Sequence, residues 1–362
     1  MGYTHMKDKI MSLFSGASPS SKISETKSAP LVALELASHA SWTPRHYGAL
    51  AREAYQRNPI AYRCIRLIAE SAASVELVSD NPDITGLLST GAPGMTATDI
   101  LEAFYGYLQV GGNAYLEAAV IDEMPRALYA LRPDHMVIKT HKSGWPCAYE
   151  YEQAGNKRVF ACDPASGRSR IFHLRLFHPT HNTLGFSPIE AAAQAIDIHN
   201  EGGRWTKSLL DNSARPSGAL IYKGSELGQY MSGDQFDRIK AELENAYAGA
   251  RHAGRPMVLE GGLDWKTMSM TPADMDFLQA RREAAREIAL ALGVPPMLLG
   301  IPGDNTYSNY KEANLALWRQ TIIPLVNKTV RGLSAWLEPW FGDGAVITPV
   351  FPEFTSNMEA AR

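Results

Sequence analysis

Three histidines and a serine are the residues most open to a chemical reading. His173, His178 and His181 stand close together, with Cys162 upstream. A strand and a proline turn that bring imidazoles together would offer zinc ligands, yet the spacing matches no established zinc pattern. Ordinary hydrogen-bonded histidines are the other reading. Gly185-Phe186-Ser187-Pro188-Ile189 superficially resembles a nucleophile elbow but lacks the second glycine. Serine followed by Pro188, with Glu190 three residues on, fits a helix start better. A hydrolase using Ser187 or the His173/His178/His181 cluster therefore stands only as the alternative function. There is no GxxxxGK[ST] phosphate loop and no strand followed by GxGxxG. Carboxylates are scattered along helical stretches without forming an acid/base pair. No catalytic residue, cofactor or metal is expected.

Composition narrows the classes further. The 362 residues carry a net charge of −3, whereas proteins that grip nucleic acid through its phosphates usually show a basic excess. Tight static DNA binding is disfavoured. Cys64, Cys147 and Cys162 form no CxxC pair, which fits a reducing compartment. The longest apolar stretch, 288–301, is broken by Pro295 and Pro296 and is too short to span a bilayer. No signal-peptide pattern is present, and Gly2 lacks the downstream Ser or Thr of a myristoylation site.

The elements that must position any site follow from periodicity. Residues 1–40 are rich in Ser, Lys and Gly and read as a mobile arm. Ile60, Cys64, Ile65, Ile68 and Ala72 recur at helical spacing behind Pro59. A short strand at 75–78 follows. Thr96 and Asp99 form a capping box before a helix that ends at Gly111-Gly112. From 114 to 177, apolar runs alternate with turn signals, which predicts an antiparallel meander. Ser187 opens an Ala-rich helix to about 210, in which Gly202-Gly203 would let another helix approach closely. A strand–helix–strand unit is predicted over 218–260, with strands at 218–222 and 256–260. A second long helix over 273–292 carries a seam of Met275, Leu278, Ala285, Ala289 and Leu292, with Arg282 its one polar member. It stops at Gly293-Val294-Pro295-Pro296. A loop then leads to a third helix from about Asn309 to Trp340, kinked by Pro324. The fold class is α+β.

The order of these elements resembles the portal proteins of long-tailed phages. The local text agrees at Asn58-Pro59-Ile60-Ala61-Tyr62-Arg63-Cys64-Ile65, Gly112-Asn113-Ala114-Tyr115, Leu131-Arg132-Pro133-Asp134, Ile171-Phe172-His173-Leu174 and Gly185-Phe186-Ser187-Pro188. The run from Ile288-Ala289 through Gly293-Val294-Pro295-Pro296-Met297-Leu298-Leu299-Gly300 is the most distinctive. Each motif alone is weak; their shared order over about Tyr47 to Trp340 carries the resemblance. A phage and a phage-like gene transfer particle are both open as its source.

The resemblance implies a wing at 41–186, a stem helix at 187–217, a clip at 218–270, a second stem helix at 271–293, a tunnel loop at 294–310 and a long kinked helix at 311–341. A C-terminal segment follows at 342–362, with the crown minimal or missing. It also implies a structural, non-enzymatic ring, typically a dodecamer, at one vertex of a virion or virus-like particle, assembled in the bacterial cytoplasm without a membrane. Double-stranded DNA would pass through it irrespective of sequence. Its other partners would be the terminase packaging motor, the major capsid protein and a head–tail connector or adaptor. Channel-lining residues would be Asp304, Asn305, Thr306, Tyr307, Ser308, Asn309, Tyr310 and Lys311. Residues 294–310 contain no Lys or Arg, as suits a channel that must not trap phosphates; a plain helix connector reads equally well from these letters alone. Lys311 is the nearest candidate for transient phosphate contact. Arg282 and Arg286 stack one turn apart, as do Glu283 and Glu287. They would pair across a subunit interface, or else face solvent.

Overall fold

The computed structural model describes residues 42–142, 144–163, 169–211, 218–222, 263–267, 272–301 and 307–353, and positions 234, 237, 238 and 241. The expected mobile arm, the expected strand at 256–260 and the end of the C-terminal segment lie outside the described residues.

Helix starts follow local chemistry. α1 (Tyr47–Leu50) runs into a π-helical turn, Ala51–Gln56. α2 (Pro59–Ala73) begins with proline behind Asn58, whose carboxamide oxygen accepts from Ile60 and Ala61 N–H at 3.1 and 3.0 Å. α3 (Pro82–Thr90), which the apolar pattern did not reveal, uses the same Asn-Pro start. α4 (Ala97–Gly111) has the predicted capping box between Thr96 and Asp99, and left-handed Gly112 ends it.

The predicted meander is two three-stranded sheets rather than one. β2 (Asn113–Ile121) lies between β3 (Met124–Leu131) and β7 (Ile171–Arg175); β5 (Pro146–Gln153) lies between β4 (Met136–Thr140) and β6 (Asn156–Ala161). The apolar pattern missed β6 because it starts Asn156-Lys157-Arg158. A small core of Tyr115, Leu131, Met136, Tyr149, Tyr151 and Ile171 joins the two sheets. β1 (Glu76–Ser79) pairs with β10 (Ile347–Val350), so residues near the end of the chain return to its first strand. β8 (Gly218–Tyr222) pairs antiparallel with β9 (Leu263–Thr267), Gly218 opposite Thr267.

α5 (Pro188–Asp211) packs along α6 (Pro272–Ala291). Gly202 is buried, and α6 reaches over the neighbouring glycine: a methyl built on Gly203 would sit 3.9 Å from the Arg281 guanidinium. α7 (Tyr307–Leu317), a π-helical turn (Trp318–Ile322) and α8 (Ile323–Phe341) make the third helical stretch. The disturbance predicted at Pro324 takes the form of that π turn, in which Ile323 N–H reaches back to Trp318 C=O. Proline offers no N–H to an α-helical ladder, and the widened turn re-pairs the strained backbone just before it. One continuous core runs from Ile65 and Ile68 through Phe104, Leu108 and Leu116 to Ile189, Ile288, Ile322 and Leu333. Burial of each large aliphatic contributes roughly 1.5–3 kcal/mol. Among the described residues no helix is long and apolar enough to cross a membrane.

Candidate functional site

The sequence motifs converge on three junctions that hold the helices α5, α6 and α7–α8. The first is the start of α5. Ser187 is buried; its hydroxyl donates to Val110 C=O at 2.7 Å and accepts from Ile189 and Glu190 N–H at 3.0 and 3.3 Å. Beside it, the Asn113 carboxamide brackets one residue: its oxygen accepts from Gly185 N–H at 2.7 Å and its NH2 donates to Gly185 C=O at 3.2 Å. The NH2 also donates to Gly111 C=O at 2.8 Å, and His173 Nε2 lies 3.0 Å from the oxygen. Leu176 N–H donates to Gly112 C=O at 2.9 Å. The Gly112-Asn113, His173 and Gly185-Phe186-Ser187 motifs are therefore one largely buried polar network centred on the Asn113 carboxamide.

The second junction ties α2 to α5. Besides capping α2, Asn58 donates to Asn200 Oδ1 at 3.0 Å and meets His199 Nδ1 at 3.2 Å; Asn200 in turn donates to Glu53 C=O at 2.9 Å. Asp197, also on α5, accepts from Thr43 N–H at 2.9 Å and from the Thr43 hydroxyl. The third junction ends α6. Val294 N–H bonds Ala289 C=O and Gly293 N–H bonds Leu290 C=O, with Gly293 left-handed at φ 67°. The Thr321 hydroxyl in the π turn donates to Gly293 C=O at 2.7 Å, so the third helix grips the stop signal of α6.

This geometry removes the hydrolase alternative's machinery. Ser187 is committed on both its donor and acceptor sides, as a cap and to the end of α4. His173 stacks on Tyr115 with centroids 4.4 Å apart and stands edge-on to Tyr149. His178 and His181 contact each other instead, at 4.8 Å, and His178 Nδ1 accepts from the N–H groups of Thr180 and His181. The three imidazoles do not share a site. Among the described residues no group of three or more His, Cys, Asp or Glu side chains is placed to hold a metal ion.

Two buried imidazoles give the fold a pH dependence. Burial, with Arg175 nearby, pushes His173 down to about 3; burial and Arg281 push His199 down to about 4. Both are neutral in the fold, whereas the unfolded chain protonates them near the ordinary 6.5. Their contribution is complete above about pH 6.5 and is lost as pH falls toward 4 and then 3. The loss is on the order of a few kcal/mol. Urea titrations at pH 7.5 and pH 5 should show a lower midpoint at pH 5, and equal midpoints would mean that both rings titrate normally.

The proposed interface and channel residues divide. On α6, Ala284, Ala285, Ile288 and Ala289 are buried, as is Leu292 just past its end. Arg282 is exposed. Met275 and Leu278 have no described side chains. The two charge stripes are not separate: Arg286 pairs with Glu283 at 2.7 Å in the same helix, and Glu287 is exposed. The segment read as a loop, 294–310, is partly helical. Pro296–Leu299 form a 3-10 turn closed by left-handed Gly300, and α7 already begins at Tyr307. Tyr307, Ser308, Asn309 and Tyr310 are thus residues of the first turn of α7. Asn309, Tyr310 and Lys311 are exposed, while Asp304, Asn305 and Thr306 lie outside the described residues.

Sequence reasoning took the motifs as separate markers and missed that three of them are one network. The available signal was that two of them place a Gly, Asn or Ser at the end of a helix or strand.

Known proteins share this architecture. An uncharacterized protein of Rickettsia bellii is 42% identical over 305 residues, covering 82% of this chain and 78% of its own. The solved neck of a native gene transfer agent particle, computed with C12 symmetry, is similar at 42% identity and a TM-score of 0.70, covering 88% of this chain and 89% of that one. The portal protein of Enterobacteria phage HK97 is 26% identical over 251 residues, covering 68% of this chain and 55% of its own. The phage portal protein family model matches residues 59–358, from the Asn-Pro start of α2 past β10, and the chain belongs to that family.

Proposed function

We propose that this chain is the ring subunit of the portal of a gene-transfer-agent-like particle, a non-enzymatic conduit for double-stranded DNA. The observation that carries the reading is the 42% identity, over nearly nine tenths of both chains, to a particle neck computed with C12 symmetry. Twelve copies would close a ring at one vertex. Helices α5 and α6 would form the stem, and the β8–β9 unit the clip, where the packaging motor and later a head–tail connector dock. The wing, residues 41–186, would meet the capsid shell. Residues 294–311 would line the channel, with Asp304 to Lys311 closest to the DNA. The net charge of −3 and the absence of Lys and Arg from 294–310 support a lumen that lets phosphates slide. Assembly would take place in the bacterial cytoplasm. Mass photometry and negative-stain microscopy of the purified chain test the reading. Expected are rings with a central hole at about twelve times the chain mass of 39.7 kDa; a compact monomer at all concentrations would refute it.

The α6 charges give a second test. Since Arg286 already engages Glu283, the contact to a neighbour falls mainly on Arg282. An Arg282→Glu, Arg286→Glu variant should form rings that dissociate at lower salt than wild type, exposed pairs contributing about 0.2–1 kcal/mol each. An unchanged dissociation midpoint would assign both stripes to solvent.

A further inference from the structure

The three cysteines are far apart in sequence, and folding sets two of them opposite each other. The last register pair of β5 and β6 is Ala148 opposite Ala161. One step further, Cys162 N–H donates to Cys147 C=O at 2.9 Å. The ladder therefore runs on to the two cysteines. The turn at the other end of the hairpin fixes the kind of pair they make. Ala154 and Gly155, at φ 51° and 78°, form a tight two-residue connection with Gln153 opposite Asn156. Such flanking residues are a hydrogen-bonded pair, and every second pair from there is one too, which reaches Cys147 opposite Cys162. Hydrogen-bonded pairs hold their Cα atoms about 5.5 Å apart, inside the roughly 4.4–6.8 Å that a disulfide bridges.

Neither thiol is sealed in. Cys147 and Cys162 are partly buried, whereas Cys64 is buried in α2. Cys162 packs against the small core that joins the two sheets. Its sulfur is hydrogen-bonded to the Ser169 hydroxyl, and Ser169 C=O accepts from Trp336 Nε1 at 2.9 Å. Burial chiefly, with Cys147 adding to it, holds the Cys162 thiol above the usual range. The Cys147 side is less tied. The register of β5 with β4 passes from Ala148 to Pro146 and skips Cys147.

We propose that Cys147 and Cys162 are a redox pair that closes into a cross-strand disulfide when the chain meets a small disulfide oxidant. One cysteine thiolate attacks a sulfur of the oxidant RSSR and expels RS⁻. The other cysteine thiolate then attacks the first cysteine's sulfur in the mixed disulfide and expels the second RS⁻. The two protons shed by the cysteines end on the two RSH released, and the two electrons the cysteines give up reduce RSSR. In a reducing compartment the pair stays open. Closed, it ties the skipped residue of β5 to the end of β6.

The test incubates the reduced full-length chain with oxidised glutathione, alkylates the remaining thiols in urea and digests with trypsin without reductant. Cys147 and Cys162 fall in different tryptic peptides, 143–157 and 159–168, so the bond appears as a joined pair. Free thiols should fall from three to one, the survivor being Cys64, and return with dithiothreitol. Cys147→Ser and Cys162→Ser should each instead keep glutathione on the remaining strand cysteine, because no second thiol is there to expel it. Wild-type chain that carries glutathione on both cysteines, that joins copies through either one, or that keeps all three thiols overturns the pair.

Discussion

A Gly185→Ala chain should be severely destabilised. A methyl built on Gly185 falls 2.0 Å from Gly112 C=O and 2.7 Å from Leu176 N, and both are backbone atoms with no rotamer to escape into. The reciprocal surface is equally closed: a methyl on Gly112, at φ 68°, would sit 2.5 Å from the Phe186 carbonyl carbon. Relief would require the β7–α5 connection to move away from the end of α4. That movement strips Asn113 of both bonds to Gly185 and Leu176 of its bond to Gly112. The expected loss exceeds about 4 kcal/mol, a range reached only by such mechanisms, against a total stability of roughly 5–15 kcal/mol. The assay is soluble yield and a denaturant titration by circular dichroism. Gly106→Ala is the control, since its methyl enters open space; it should match wild type or gain roughly 0.5–1 kcal/mol. A Gly185→Ala protein within about 1 kcal/mol of wild type would show that the two backbones do not approach this closely.

Asn58→Ala is the second large effect, at roughly 2–4 kcal/mol, because one side chain serves two elements. Its oxygen caps α2, and its NH2 reaches His199 and Asn200 of α5. Loss of the cap costs about 1 kcal/mol. Leaving the buried partners unpaired costs about 1–3 kcal/mol more. Asn58→Asp separates the parts. The oxygen acceptors stay, the donor is lost, and a carboxylate lies beside His199. That carboxylate favours the imidazolium, so the Asp variant should lose less stability than wild type between pH 7.5 and pH 5, while the Ala variant should not. Urea titrations of the three proteins at both pH values measure this. Wild-type stability of the Asp variant at pH 7.5, with wild-type pH dependence, would confine Asn58 to the cap alone.

What the letters determined was local or periodic. Asn58-Pro59, Thr96 with Asp99, Ser187-Pro188 and Gly293-Val294-Pro295-Pro296 mark helix ends where the structure has them, within a residue or two. The strand at 218–222 and the family's order of elements were legible in the same way. Tertiary structure alone decided that the meander is two sheets, that β10 returns to β1, that Pro324 is preceded by a π turn, and that Arg286 turns to Glu283 of its own helix. It also turned Ser187 from a nucleophile candidate into a clamp on α4, and parted His173 from His178 and His181. The physical reason is range. A cap or a stop signal is a hydrogen bond among residues within four or five positions, so the order of residues contains it. Asn113 and Gly185 stand 72 residues apart, and only the folded path of β2, β7 and α4 brings that one carboxamide onto that one peptide.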